Sequence, residues 1–348
     1  MNTRLTEKTD KALTDFNTNW QTRPLFSTGV ALIVMVILQT IALGFNFGSI
    51  GAWFGTWLQN WINILRNNSG VGIIALGMTL VIISGGIDLS VGSTLVAIGA
   101  MVMMMIDIGP KGILLNMGIT GAPAYVIAIV VGILMGFLLG EITGLLITKG
   151  KLPPFIATLG TMKIFRSVTQ QFMTGYNPLI PKGFLSIASL RTFDQLLMPI
   201  FYWLILAIIL HIVSTRTKFG RQTIAVGSNE RATRLSGVNV NSVKRRIYAL
   251  MGVLVGFSAI LQVSRIGSMD YANAGSGYEM DAISAVIVGG TRMSGGKGTI
   301  IGTVLGTLII AVMNNLLNLV GVPPFLREAF KGVIVIGAVL LQKKEATS

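Results

Sequence analysis

SGGIDLSVGS, Ser84 to Ser93, is the stretch on which the reading of this chain turns. It closes one long apolar run, Val71 to Ser84, and opens another, Val91 to Met105. An aspartate at the centre of a bilayer costs roughly 2.5–3.5 kcal/mol on an insertion scale, so Asp88 is expected at a helix end, facing protein or water. Gly85 and Gly86 permit backbone angles and close approaches that side chains forbid, which predicts a helix break with its polar groups turned inward. Gly85, Gly86, Asp88 and Ser90 are therefore candidates for lining or gating a translocation path.

Outward from this break the composition sets the class. Of 348 residues 52% are hydrophobic and only 11% charged, and the mean hydropathy is +0.73. That leaves too little polar surface for a water-soluble domain, so the chain reads as an all-α polytopic membrane protein. The absence of cysteine excludes disulfides and thiolate metal ligands, and a single histidine, His211, makes a histidine metal site implausible. His211 ends an apolar run and reads as an interfacial residue. Forty-two glycines suit helices that pack closely in lipid.

Ten apolar runs follow one another: Thr28 to Phe47, Val71 to Ser84, Val91 to Met105, Ala124 to Thr148, Pro154 to Met173, Leu196 to Val213, Ile247 to Val263, Ala282 to Gly290, Ile300 to Val320 and Phe325 to Leu341. About ten transmembrane helices are expected, the eighth too short to cross unless protein shields its ends. Between the first two runs Trp53, Trp57 and Trp61 recur every fourth residue within Gly51 to Asn68. A short helix lying at the membrane surface is the simplest reading, and the start of the next span is the other.

The formal charge of +14 gathers in the segments between runs, so it reports topology and not a nucleic-acid surface. Ser214 to Arg246 carries eight basic residues against the single acid Glu230, which places this loop in the cytoplasm. With ten spans both termini then lie inside, giving a cytoplasmic tail 1–27, a permease domain 28–342 and a cytoplasmic tail 343–348. Met1 to Pro24 is polar and mixed in charge, unlike a cleaved signal peptide. Ser264 to Asp281 is expected outside.

Sliding the chain by 210 residues lays SGGIDLSVGS over SGGKGTIIGT at Ser294, each copy between two apolar runs. The offset spans an even number of helices, which implies parallel copies; an inverted five-helix repeat would need an odd number, so either the count is off by one or the likeness is a coincidence of small residues. TRMSGGKG, Thr291 to Gly298, lacks the first glycine of a phosphate loop and has Gly298 where Ser or Thr would hold magnesium. No catalytic set is present, so no cofactor is expected on this chain.

Polar residues inside the runs have two readings each. Glu141 and Arg166 either line a wet path for a hydroxylated solute or form internal pairs, whereas Lys163 reads as snorkelling to an interface. Asn314, beside Asn315, either bonds across helices or meets solute. Asp281 either caps the eighth run or gates. Asn229 to Gly237, NERATRLSG, is helix-compatible, opened by Asn and closed by Gly. By composition it is an ordinary basic loop, although a small helix of this kind also fits a groove on a partner.

Three stretches together carry more than composition does: GMTLVIISGGIDLSVGS at Gly77 to Ser93, KLPPFIATLGTM at Lys151 to Met162, and the run from Asn229 through GYEMDAISAVIVGG to SGGKGTIIGT. From about Gly70 onward the chain closely resembles the permease subunits of ribose-type ABC sugar importers. The resemblance implies a bacterial cell-membrane subunit for a ribose-, xylose- or galactoside-class sugar. Its implied partners are a second permease copy, two cytoplasmic ATP-binding subunits or one tandem ATPase that hold ATP and magnesium, an extracytoplasmic sugar-binding protein, and lipid.

The family's coupling helix corresponds to Asn229, Glu230, Arg231, Ala232, Thr233, Arg234, Leu235, Ser236 and Gly237. Membership also makes Ser264 to Asp281 a candidate dock for the binding protein. Thr233 stands where the family commonly has a second alanine, a departure that bears on partner fit. Thr143, where an asparagine is common, and Glu141 bear on solute choice. The rival class is an ion-coupled secondary transporter using Asp88, Glu141 and Asp281, and the rival cargoes, placed below a sugar, are nucleosides, branched amino acids or an autoinducer-like pentose derivative.

Overall fold

The computed structural model describes residues 24–45, 48–190 and 195–347. The first 23 residues, expected as a tail, lie outside the described ones. Among the described residues the architecture is helical throughout: α1 Pro24–Leu43, α2 Ile50–Ile83, α3 Val91–Ile106, α4 Ile113–Asn116, α5 Ala122–Thr148, α6 Pro154–Met173, α7 Lys182–Ser189, α8 Met198–Arg216, α9 Lys218–Ser228, α10 Glu230–Leu235, α11 Val240–Ile266, α12 Tyr278–Val288, α13 Ile300–Leu319 and α14 Pro324–Thr347.

Six of these are long and apolar enough to cross a membrane: α1, α2, α5, α8, α11 and α13, with α3 a shorter apolar helix. The centre is built from the second half of α2 with α3 and α11, whose side chains there are mostly buried, while α1, α5 and α8 keep apolar residues on the outside, where lipid would be.

The best-packed pair is α5 against α11. Gly132, Gly136, Gly140 and Gly144 recur every fourth residue and form one stripe on α5. A Cβ on Gly136 would collide with the Gly252 carbonyl, and one on Gly140 with the Tyr248 carbonyl. Backbone meets backbone here, which maximises dispersion contact in a solvent that offers no hydrophobic drive.

The tryptophan segment corrects the sequence reading. Gly51 to Asn68 is no separate surface helix: α2 is one helix of 34 residues, about 51 Å long, with Trp53, Trp57 and Trp61 in its first third. Within the polar stretch Arg66 to Gly70 the Asn68 and Ser69 side chains return to the helix's own carbonyls. Asn68 Nδ2 donates to Ile64 O at 2.8 Å and Ser69 Oγ to Leu65 O at 2.7 Å. The Gly70 carbonyl accepts from Ser258 Oγ at 2.9 Å, so the polar patch is satisfied inside the bundle.

The long polar segment is mostly helical. Of Ser214 to Arg246, the first three residues finish α8 and the last seven begin α11, leaving α9 and α10 between them. Ser264 to Asp281 likewise ends α11 and starts α12, and the connection between them packs partly into the bundle. Met269 and Gly275 are buried, Gly275 against Gly92 at the start of α3, while Asp270, Ala272 and Asn273 remain exposed.

Candidate functional site

The break after α2 is real and is built by its glycines. Gly85 adopts φ +79°, the left-handed region where a side chain is strained, and its N–H returns to Ile82 O. Asp88 is 4% exposed, and its Oδ1 accepts from the Ser90 N–H at 2.9 Å and the Ser90 hydroxyl at 2.6 Å. A carboxylate is thereby held at the start of α3, where the helix dipole favours negative charge. Tyr248 of α11 closes the break by donating its hydroxyl to Ile87 O at 3.1 Å.

The second glycine-rich turn, between α12 and α13, packs on the first. The Gly296 N–H donates to Ile83 O at 2.9 Å, with Gly295 and Gly296 both at positive φ. A third segment joins them, because Gly227, at the end of α9, sits so close to Ile83 O that a Cβ would collide with it. The two turns that the sequence laid over one another thus share a single joint with the root of α10.

From that joint α10 projects. Asn229 caps it, with Oδ1 accepting from the Ala232 N–H at 2.9 Å, and Gly237 at φ +81° ends it. Glu230 is tied to Lys244 at 2.6 Å and Arg234 at 3.1 Å. The Lys244 hydrogen bond is the largest influence on its carboxyl and, with Arg234, outweighs burial to hold it below the usual glutamate range.

Thr233 does not face outward. It is 7% exposed and its hydroxyl bonds the Ala225 and Asn229 carbonyls at 2.8 Å each, strapping α10 to α9. The outer face consists of Arg231, Ala232, Arg234, Leu235 and Ser236, with Leu235 85% exposed.

Other residues singled out in the sequence are placed as follows. Glu141 Oε1 pairs with Arg245 Nε at 2.7 Å across the α5–α11 contact. Arg166 of α6 donates to Ala274 O at 2.7 Å and Tyr271 O at 3.3 Å, holding the inward-folded connection before α12, while Lys163 is exposed. Asp281 lies inside α12 and caps nothing: Gly277 is the N-cap residue, and the carboxylate pairs with Lys331 of α14 at 2.7 Å. Lys331 also reaches Glu328, at 2.8 Å. Among the described residues Asn314 Oδ1 is buried without a hydrogen-bond partner, as is His211 Nδ1.

Sequence reasoning missed Asp107. One oxygen accepts from the Gly109 and Leu179 N–H groups at 2.8 Å each, the other from the Tyr176 hydroxyl at 2.6 Å. Burial alone would raise its pKa, but these three bonds outweigh it and hold the carboxyl below the ordinary aspartate value. Asp107 latches the connection after α3 to that after α6. No local pattern announces it, since two of the three donors lie about 70 residues away.

Comparison with known proteins follows the same outline. The family described as branched-chain amino acid transport system / permease component matches residues 60–339. The ribose import permease protein RbsC of Bacillus subtilis is 43% identical over 290 residues, 82% of this chain and 85% of that protein. The protein of the same name from Escherichia coli K12 is 38% identical over 322 residues, covering 91% and 92%. The galactose/methyl galactoside import permease protein MglC of Escherichia coli K12 is 38% identical over 301 residues, covering 82% and 86%. No solved structure matches.

Proposed function

The chain belongs to the branched-chain amino acid transport system / permease component family, and on that premise we propose that it is the permease subunit of an ATP-driven importer of a monosaccharide. The family's description names amino acids, but the relatives that cover most of this chain are a ribose and a galactoside permease. That supports a sugar of the ribose, xylose or galactoside class.

In this reading α3, α6, α12 and α14 join the six apolar helices to make ten spans. Both termini and the α9–α10 arm lie in the cytoplasm, as the basic residues from Arg216 to Arg246 favour. Two copies of the chain pair in the membrane, each meeting an ATP-binding subunit, or one half of a tandem ATPase, that carries ATP and magnesium. A sugar-binding protein delivers from outside, with the exposed residues near Asp270 within reach of it.

The observation that carries the mechanism is the joint at Gly227. The arm that projects towards the ATPase is seated on both glycine-rich turns, so movement of α10 shifts the ends of α2 and α12 together. ATP binding then biases the bundle between inward-open and outward-open arrangements. Asp88, Gly85, Gly86 and Ser90 at the joint, with Arg166 and Asp281 on helices facing α3 and α14, act as gate elements in this account, and Glu141 braces α5 on α11.

The chain has no cysteine, so one introduced at Leu235 is a unique label. Leu235→Cys should cross-link to the ATP-binding subunit in membranes, and the yield should change when ATP is trapped. A yield at Leu235→Cys no higher than at Ile336→Cys, an exposed position on α14, would sink the coupling assignment.

A further inference from the structure

Amide side chains collect in one part of this apolar molecule. Gln39 on α1 is wholly buried, and neither its Nε2 nor its Oε1 has a hydrogen-bond partner among the described residues. Trp61 Nε1 on α2 and Asn314 Oδ1 on α13 are buried and unpartnered as well. The three belong to one junction. Trp61 and Met35 pack together on Ile64, Ala311 and Val312. Gln39 lies one helical turn from Met35, and Asn314 three residues from Ala311, so each shares the face of its neighbour. Asn60 and Asn315 exchange hydrogen bonds across the same contact at 3.2 Å.

An open groove of about 460 Å³ between the end of α1 and the start of α2 reaches the junction at Asn60, and Thr56, Gln59 and Asn63 complete its polar wall. Neither α1 nor α13 carries a charged residue, and α2 carries only Arg66. Unmatched donors and acceptors without charge, beside an indole ring, do not suit an anion, a cation or a lipid tail. Amides that both donate and accept, with one apolar ring face, suit a ring bearing several hydroxyls.

We propose that the α1–α2–α13 junction is a binding site for the hydroxyl groups of a neutral monosaccharide, with Gln39, Trp61 and Asn314 as its contacts. The site rests on the importer reading and deepens it. It draws on α1, which precedes the family match at residue 60.

The test uses the full importer, permease with ATPase and sugar-binding protein, in proteoliposomes. Gln39→Leu and Asn314→Leu keep side-chain size while removing the amide. If these amides hold sugar, maximal uptake falls at least about fivefold in each variant, while the thermal midpoint stays at or above that of the parent because an unpartnered polar group has been removed. Parent-like uptake in both variants, or a loss that tracks a lowered midpoint, would overturn the site. Uptake by the parent is the control on the importer reading itself, so the two failures are separable.

Binding is read directly by fluorine NMR of 5-fluorotryptophan protein in nanodiscs, the Trp61 resonance being identified by its loss in Trp61→Phe. Ribose or galactose should shift that resonance saturably, and Gln39→Leu should abolish the shift. A shift given only by nanodiscs containing a glycosylated lipid, with free sugar inert, would contradict a site for the transported solute.

Discussion

Thr233 shows how a residue's environment overrides its sequence context. Read along the chain it stands on a surface offered to a partner, but the hydroxyl is spent on the Ala225 carbonyl and the side chain is buried. Thr233→Val keeps the shape and loses a bond worth about 0.5–1.5 kcal/mol. Membrane insertion should be normal, and the number of sugars moved per ATP should fall, measured as uptake over hydrolysis in the reconstituted importer.

Glu230 is a second residue whose partners set its behaviour. Its carboxyl is held below the ordinary value of 4.5, chiefly by Lys244. A depressed pKa contributes stability that is present above the ordinary value and lost as pH falls through the folded one. A carbon-13 titration of Glu230 should therefore give a midpoint under 4.5, moved back towards 4.5 by Lys244→Met; a midpoint at or above 4.5 in the parent would contradict the pairing. Asp107, by contrast, left no trace in the sequence, because its meaning lies in Tyr176 and Leu179 on a distant segment. Asp107→Ala strands the buried Gly109 N–H, the half-buried Leu179 N–H and the Tyr176 phenol, and should cost roughly 1–3 kcal/mol of stability in a detergent melt.

At the scale of elements, hydropathy placed most helices, because a segment that loses its backbone polar groups to lipid has few options besides a helix. Pro154–Met173 begins and ends where the proline pair and the apolar run indicate. The tryptophan segment takes the second of its two readings, the start of the next span, for a physical reason: Asn68, Ser69 and Gly70 find partners within the bundle and the helix runs through. The break at Gly85 and Gly86 was readable from residue types alone. Its contact with the second glycine turn was suggested only by their likeness, and the seat of Gly227 between them not at all.

That joint gives the sharpest prediction for an element. A methyl group on Gly227 would meet the Ile83 carbonyl, so Gly227→Ala must displace α9 from both turns. The variant should reach the membrane and bind its ATPase, yet lose most sugar-stimulated hydrolysis. Full stimulation would mean that the arm moves independently of the turns. Gly237→Ala, whose Cβ would meet open space at φ +81°, should cost only about 1 kcal/mol of local strain and serves as the comparison.

For the whole molecule, the charge excess describes a chain whose basic residues collect beside α8, α9 and the start of α11, and whose apolar helices carry few charges that lack a partner. The pairs Glu141–Arg245 and Asp281–Lys331 brace helices; the second, with both side chains under one-fifth exposed, is the costlier to break singly, whereas Arg245 is open enough to be screened. An ion-coupled transporter would instead leave a carboxylate free to take and release a proton along the path. Asp88 is engaged by Ser90, and Glu141 and Asp281 are engaged by cations, an arrangement that favours an external energy source.

The decisive measurement is sugar uptake by the reconstituted permease, ATPase and sugar-binding protein, with ATP sealed inside with the ATPase and a protonophore added. Undiminished uptake that stops when ATP is replaced by a non-hydrolysable analogue is the predicted result. Uptake that collapses with the protonophore and persists without ATP would contradict the account and return Asp88 to the role of a proton site.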